Sequence, residues 1–255
     1  MGTAANRKAL LFDLDGTLID SMPAHEQAWI TWHQRHDISM DVAGFFAATA
    51  GRTNDEILRD MLPGRTAAEY EAWVDEKESL YRELASQSLA LIKGAHNYLV
   101  AARASGFSLA ICTASTPKNM TLAFSKFGLD GMVDTVTSPN DGLRGKPHPD
   151  IFIEAAKRLK TEPENCLVFE DAPLGIEAAR RAGMAAVVLT TSLPAAAFAR
   201  FDNLMGIAAD FSGVASPDTF QIPSKKRLPS LEAFRTTMPT MTESIEMLRE
   251  ERDRR

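Results

Sequence analysis

The sequence predicts an α/β fold, a doubly wound (Rossmann-like) parallel sheet with an inserted α-helical cap domain, on three observations. Short continuous apolar runs recur along the chain, segments of helical period separate them from the second run onward, and one long stretch between the first and second runs has almost no strand character. Runs that are apolar at every position suit strands buried on both faces. Alternation of strand and helix then makes the strands parallel, joined by right-handed crossovers.

The first candidate strand is Ala9 to Asp13. From Asp20 to about Lys93 the chain is rich in helix formers, as in EYEAWVDEKESLYRELA, and is expected to form a separate helical cap over residues 21–93. Its junctions, near Ser21 to Pro23 and Leu91 to Gly94, fall where a hinge would open and close the cap over the end of the sheet. A helix at Gly94 to Ser105 leads into the second run, Phe107 to Thr113, and a helix at Pro117 to Phe127 leads to the third, Val133 to Thr137. Pro149 to Leu159 precedes the fourth run, Cys166 to Glu170, and Leu174 to Ala182 precedes the fifth, Ala185 to Leu189. The core is thus expected over residues 1–20 and 94–212. Residues 213–255, ending in the charged SIEMLREERDRR with Ile245 and Leu248 at helical spacing, form a C-terminal extension, helical or disordered.

With 45% hydrophobic residues in 255, the chain has material for a substantial core. Its net charge of −6, from 28 basic and 34 acidic residues without a block of either sign, argues against a nucleic-acid or membrane-surface partner and for a small metabolite. Cys112 and Cys166 both lie in apolar runs, which indicates neither a disulfide framework nor a zinc site. The N-terminal stretch lacks the pattern of a secretory signal, and no run approaches the roughly 18 apolar residues that span a bilayer, so the expected location is cytoplasmic. The expected assembly is a monomer or small homo-oligomer.

In an open parallel sheet the functional residues lie just past the carboxyl ends of the strands. The first run ends in Asp13-Leu14-Asp15-Gly16-Thr17, the second in Thr113-Ala114-Ser115 and the fourth in Glu170-Asp171, while the loop before the fourth carries Lys146 in GKPHPD. Four carboxylates on one edge repel one another without a cation, and a small set of hard oxygen ligands suits Mg²⁺. A lysine and a hydroxyl beside that metal are what a transferring phosphoryl group needs, since its peripheral oxygens carry the charge to be stabilised. A turn at Gly16 separates Asp15 from Asp13, so that Asp13 can attack phosphorus while Asp15 gives a proton to the leaving oxygen and later takes one from water.

DLDGTL, the strand-end Thr113, Lys146 in GKPHPDIF and FEDAPLGIEAARRAG resemble, in order and spacing, the four motifs of the haloacid dehalogenase-like hydrolase superfamily, over about Ala9 to Leu189. The subfamily they resemble carries a helical cap after the first motif and holds beta-phosphoglucomutases and sugar-phosphate phosphatases. The resemblance implies Asp13 as nucleophile and metal ligand, Asp15 as acid/base and metal ligand through its main-chain carbonyl, and Thr113, with the adjoining Ala114, and Lys146 as phosphate ligands. It implies Asp171 as a metal ligand with Glu170 beside it in the metal shell, and Mg²⁺ as cofactor. Dehalogenase members lack the second aspartate and the metal, so Asp15, Glu170 and Asp171 point away from that activity.

A cap that closes over the site suits a small phosphorylated metabolite, because a macromolecule could not be enclosed. DSMPAHEQAW and AGRTNDEIL resemble cap segments that contact the sugar or second phosphate, which makes His25, Arg52, Thr53 and Glu56 candidate substrate residues, with Ser115 and Asn119 from the core. His25 could equally pack near Trp29, Arg52 could pair with a neighbouring acid, and Ser115 and Asn119 could cap the helix beginning near Pro117. Where beta-phosphoglucomutases hold the distal phosphate with an arginine, this chain has Asn54. That departure favours a phosphatase acting on a sugar or polyol phosphate, with a sugar-phosphate mutase as alternative and a non-catalytic metabolite-binding module as a third reading. Trp29, Trp32 and Trp73 are expected in the cap core or interface, and His33, His36 and His96 at packing or surface positions.

Overall fold

The computed structural model describes residues 8–49 and 52–219. Six parallel strands form one sheet: β1 (Ala9–Phe12), β2 (Ser108–Cys112), β3 (Thr135–Thr137), β4 (Cys166–Glu170), β5 (Ala185–Leu189) and β6 (Leu204–Ala208), in the order β3-β2-β1-β4-β5-β6. The order reverses direction at β1, where the chain leaves toward β2 on one side and later returns to β4 on the other. That is the topological switch point at which open α/β sheets place their ligands. β6 is absent from the strands expected from sequence. Gly206 interrupts its apolar run, and its residues are at most half-buried at the sheet edge, with Met205 and Ile207 exposed.

Both faces of the sheet are covered, and the alternation along β1 shows how. Leu10 and Phe12 enter one buried cluster with Tyr98, Phe107 and Phe211, while Ala9 and Leu11 enter another with Ile151, Phe152 and Ile176. Phe12 stacks on Phe169 of β4 with ring centroids 4.8 Å apart, and Tyr98 meets Phe169 edge-on at 5.4 Å. Aromatic contacts of this kind add about 1 kcal/mol each to the burial itself. The two strands that carry acidic residues at their ends are thereby locked side by side.

The covering helices are α5 (Ala95–Ala104), α6 (Pro117–Phe127), α7 (Asp150–Arg158) and α8 (Pro173–Arg181). Two of these starts and one stop follow local chemistry. α6 begins with Thr116 accepting from the Asn119 amide and Pro117 in the first turn, α8 begins with a proline, and α6 stops at Gly128, whose φ of 66° is the left-handed conformation glycine adopts at least cost. Residues 213–219 continue against the core: Pro217 is buried and Tyr98 Oη donates to the Ala215 carbonyl at 3.4 Å. These are the first residues of the extension expected over 213–255; its remainder, 220–255 with Ile245 and Leu248, lies outside the described residues.

Between β1 and β2 the cap comprises α1 (Met22–Arg35), α2 (Val42–Thr49), α3 (Asn54–Met61) and α4 (Ala67–Ser88). α3 and α4 each open with a capping box, Thr53 with Glu56 and Thr66 with Glu69, which satisfies amides that a helix start leaves free. Trp29 and Trp32 are buried between these helices, Trp73 meets Trp32 at 6.0 Å, and buried His33 donates from Nδ1 to the Trp29 carbonyl at 2.8 Å. The chain crosses from core to cap and back along two adjacent segments. Asp20 N–H donates to Ala90 at 2.9 Å, Ile92 N–H donates to Leu18 at 3.0 Å, and Ile19 bridges Leu91 in antiparallel fashion.

Candidate active site

At the carboxyl ends of β1, β2 and β4, beneath the cap, a cavity of about 630 Å³ is lined by Asp13, Asp15, Thr113, Ala114, Ser115, Lys146, Glu170 and Asp171 from the core and by His25, Arg52, Thr53 and Asn119 among others. Residues from four separate stretches of sequence thus meet at one switch point. Asp13 is 7% exposed and ends β1, held by its own N–H to Phe169 at 3.0 Å. The chain then turns: Leu18 and Ile19 N–H groups return to the Leu14 carbonyl, and Gly16 takes a φ of 78°. A Cβ on Gly16 would stand 2.2 Å from Asp171 Oδ2, so glycine is needed there for both its torsion and its slimness. This turn lifts Asp15 away from Asp13 and toward the cap.

Lys146 Nζ bridges Asp13 Oδ1 and Glu170 Oε1, the latter at 2.6 Å. Glu170 Oε2 accepts the N–H groups of Asp171 and Ala172, each at 3.0 Å, so both of its oxygens are engaged in holding Lys146 and the start of α8. Asp171 accepts Thr17 Oγ1 at Oδ1, 3.1 Å away, and Ser192 Oγ at Oδ2. Burial, then the nearby Glu170 charge, pushes Asp171 up to about 7 despite those hydroxyls. Burial also raises Asp13, reinforced by Glu170 and Asp171 and opposed by Lys146. Three buried carboxylates with one ammonium leave two negative charges uncompensated, a deficit that a divalent cation balances.

The Thr113 hydroxyl, buried at the end of β2, accepts the Ser115 N–H at 2.9 Å. Thr116, rather than Ser115 or Asn119, caps α6.

On the cap side, Asp15 Oδ1 is buried with no hydrogen-bond partner among the described residues, and His25 Nε2 lies 3.6 Å from it. Burial works to raise the Asp15 carboxyl, but the neighbouring His25 holds it below its ordinary value. His25 stacks face to face on Tyr81, centroids 3.8 Å apart, and its Nδ1 accepts from Lys77 Nζ at 2.7 Å. An ammonium can only donate, so the imidazole proton sits on Nε2, directed at Asp15.

Arg52 lines the cavity but its guanidinium is not free: Nη2 donates to Asp60 and to the Glu56 carbonyl. Glu56 does not reach the cavity, because its carboxylate closes the capping box on Thr53 N–H and Oγ1 at 3.0 and 2.9 Å. Sequence reasoning missed Lys77 and Glu78 on α4, both buried and both lining the cavity, because a Lys-Glu pair in a charged helix reads as a solvated face. The signal was present: Lys77 lies seven residues after buried Tyr70 and four before buried Tyr81, on the same helix face. Thr17 and Ser192, the hydroxyl partners of Asp171, were also missed; Thr17 stands within the first motif, whereas no pattern marks Ser192.

The chain is similar to validoxylamine A 7′-phosphate phosphatase of Streptomyces hygroscopicus subsp. limoneus, 33% identical over 199 residues that cover 78% of this chain and 92% of that protein. It is similar to hexitol phosphatase A of Escherichia coli (strain K12), 31% identical over 178 residues covering 69% and 80%. Among solved structures, a HAD hydrolase of family IA, variant 3, from Entamoeba histolytica superposes with a TM-score of 0.75 at 27% identity, covering 83% of this chain and 96% of the other. With residues 7–183 matching the family as well, the chain belongs to the haloacid dehalogenase-like hydrolases.

Proposed function

We propose that this enzyme is a Mg²⁺-dependent phosphatase that hydrolyses a small phosphate monoester, a sugar or polyol phosphate, through an aspartyl-phosphate on Asp13. The observation that carries the reading is the pairing of two carboxylates with opposite surroundings in one cavity. Asp13 is fixed at the floor by Lys146, while Asp15 is lifted toward the cap and faced by His25. Asp13 attacks phosphorus, and Asp15 protonates the leaving oxygen and then takes a proton from the attacking water. Lys146, the Thr113 hydroxyl and the Ala114 amide hold the peripheral oxygens, whose charge grows in the transition state. From the cap side His25, held by Lys77, faces Asp15 and favours its charged form, the form that takes the proton from water.

The buried all-oxygen donor set and its excess negative charge fit Mg²⁺. Asp13, Asp171 and the Asp15 carbonyl would hold it, with Glu170 supporting from behind. When bound, it supplies positive charge to the phosphoryl oxygens. The similarity to phosphatases acting on validoxylamine A 7′-phosphate and hexitol phosphates supports a polyhydroxylated substrate. Among the described residues no helix is long and apolar enough to cross a membrane.

The test is phosphate release from a panel of sugar and polyol monophosphates, with Mg²⁺ and with a chelator, for the wild type and Asp13→Asn. Release that needs Mg²⁺ and falls by about 10⁴-fold or more in a folded Asp13→Asn protein supports the reading. Isomer formation with little free phosphate replaces it with a mutase, and binding without turnover replaces it with a binding module.

A further inference from the structure

The far wall of the cavity is built from cap residues and α6, and its hydrogen-bond donors converge on one carboxylate. Lys77 Nζ donates to Glu78 Oε1 at 3.0 Å, Asn54 Nδ2 donates to the same oxygen, and Asn119 Nδ2 donates to Oε2. Glu78 is 5% exposed and lines the cavity with all three of its donors. The guanidinium at this wall, Arg52, is turned to Asp60 and the Glu56 carbonyl. Asp20, Glu26 and Asp55 also line the cavity, Asp55 with its carboxylate on Arg59. The two cations at the wall, Lys77 and Arg52, each have a carboxylate partner.

We propose that Glu78 sets specificity at the distal end of the substrate: it takes the donors of the far wall for itself, so the site rejects a second phosphate and accepts a distal part that is uncharged and hydroxyl-bearing. The inference rests on the phosphatase reading and deepens it. A second phosphate here would face Glu78 and the neighbouring acids while finding Lys77, Asn54, Asn119 and Arg52 already engaged, and like charges brought together across a desolvated site are strongly unfavourable. Hydroxyls fit the same surface, because they donate to carboxylate oxygens and need no compensating cation. Selectivity of this sort comes from rejecting the wrong ligand as much as from holding the right one.

The experiment is competitive inhibition of p-nitrophenyl phosphate hydrolysis by fructose 1-phosphate and by fructose 1,6-bisphosphate, in wild type, Glu78→Gln and Glu78→Asp. In wild type the bisphosphate should inhibit about tenfold more weakly than the monophosphate or worse. Glu78→Gln, which removes the charge at constant shape, should narrow the gap to within about threefold, and Glu78→Asp, which keeps the charge, should retain it. Reading a ratio makes the outcome independent of how much activity each variant keeps, and the wild-type gap stands even where a variant does not fold. Equal or tighter inhibition by the bisphosphate in wild type overturns the inference, as does a gap that Glu78→Gln leaves unchanged. If wild type with Mg²⁺ releases phosphate from neither p-nitrophenyl phosphate nor any sugar or polyol monophosphate of the panel, the phosphatase reading fails and this inference falls with it. Hydrolysis without the gap removes only the inference.

Discussion

Glu170 Oε1 lies where a side chain on Gly175 would have to be: a Cβ built on that glycine stands 1.8 Å from it. The glycine is in the first turn of α8 and the glutamate at the end of β4, so the close approach lets the helix seat directly behind the carboxylate that holds Lys146. Gly175→Ala tests this. Helix propensity alone predicts stabilisation by about 1 kcal/mol. The clash predicts the reverse, a net loss of about 1–3 kcal/mol as Glu170 is displaced. Because Glu170 anchors Lys146, phosphatase activity should drop by about tenfold or more. Thermal unfolding and kcat measured together decide it; an alanine variant of raised stability and near-normal kcat would show that the site relaxes freely.

The Lys77–Glu78 pair is buried in a helix between cap and core, with both side chains under a tenth exposed. Lys77→Met should destabilise by about 3 kcal/mol, chiefly because Glu78 is left as a buried charge without its counter-ion. The double variant Lys77→Met, Glu78→Gln should recover most of that loss. Denaturant unfolding of the two single variants and the double gives the coupling directly, and additive effects would mean the pair is not a unit.

Mg²⁺ should stabilise the folded protein by relieving the carboxylates at the ends of β1 and β4. At a concentration one hundred times its dissociation constant a ligand contributes about 2.7 kcal/mol, which for a chain of this size raises Tm by roughly 5–10 °C. Asp171→Asn should lose most of this increment while remaining folded without metal. Differential scanning fluorimetry across a Mg²⁺ titration reads both; the same increment in the asparagine variant would place the ion elsewhere.

His33 gives the cap an acid limit. Burial holds its imidazole below the ordinary value, with the His36 charge adding to the effect and the Trp29 carbonyl opposing it. A base whose pKa is lower folded than unfolded takes up its proton first in the unfolded chain, so its contribution is full above about pH 6.5 and is lost progressively as the pH falls below that. His33→Gln should be less stable than wild type at pH 8, with the difference shrinking toward pH 5. Parallel stability curves for the two proteins would assign the acid limit to another group.

The core was legible because its signals are local. β1, β2, β4 and β5 are mainly apolar runs, and Asp13, Thr113 and Asp171 each follow directly on one, so that parallel strands carry all three to the same edge. β6 escaped because an edge strand interrupted by Gly206 has no such run. The cap was legible as helix but not as chemistry. Whether Arg52 is free depends on Asp60 two turns further along α3, and whether Glu56 is free depends on the helix beginning at its own capping box. Those partnerships arise from side-chain packing between elements, which residue type and spacing leave open. Lys77 and Glu78 carried the opposite ambiguity, charged residues whose burial follows only from where α4 lies against α1 and α6.

The antiparallel contact between Ile19 and Leu91 joins the outgoing and returning chains at a single narrow waist. The insertion is attached through two neighbouring segments, so cutting at Ile19 and Leu91 would remove it whole and leave two ends already side by side, the geometry a graft of another insertion requires.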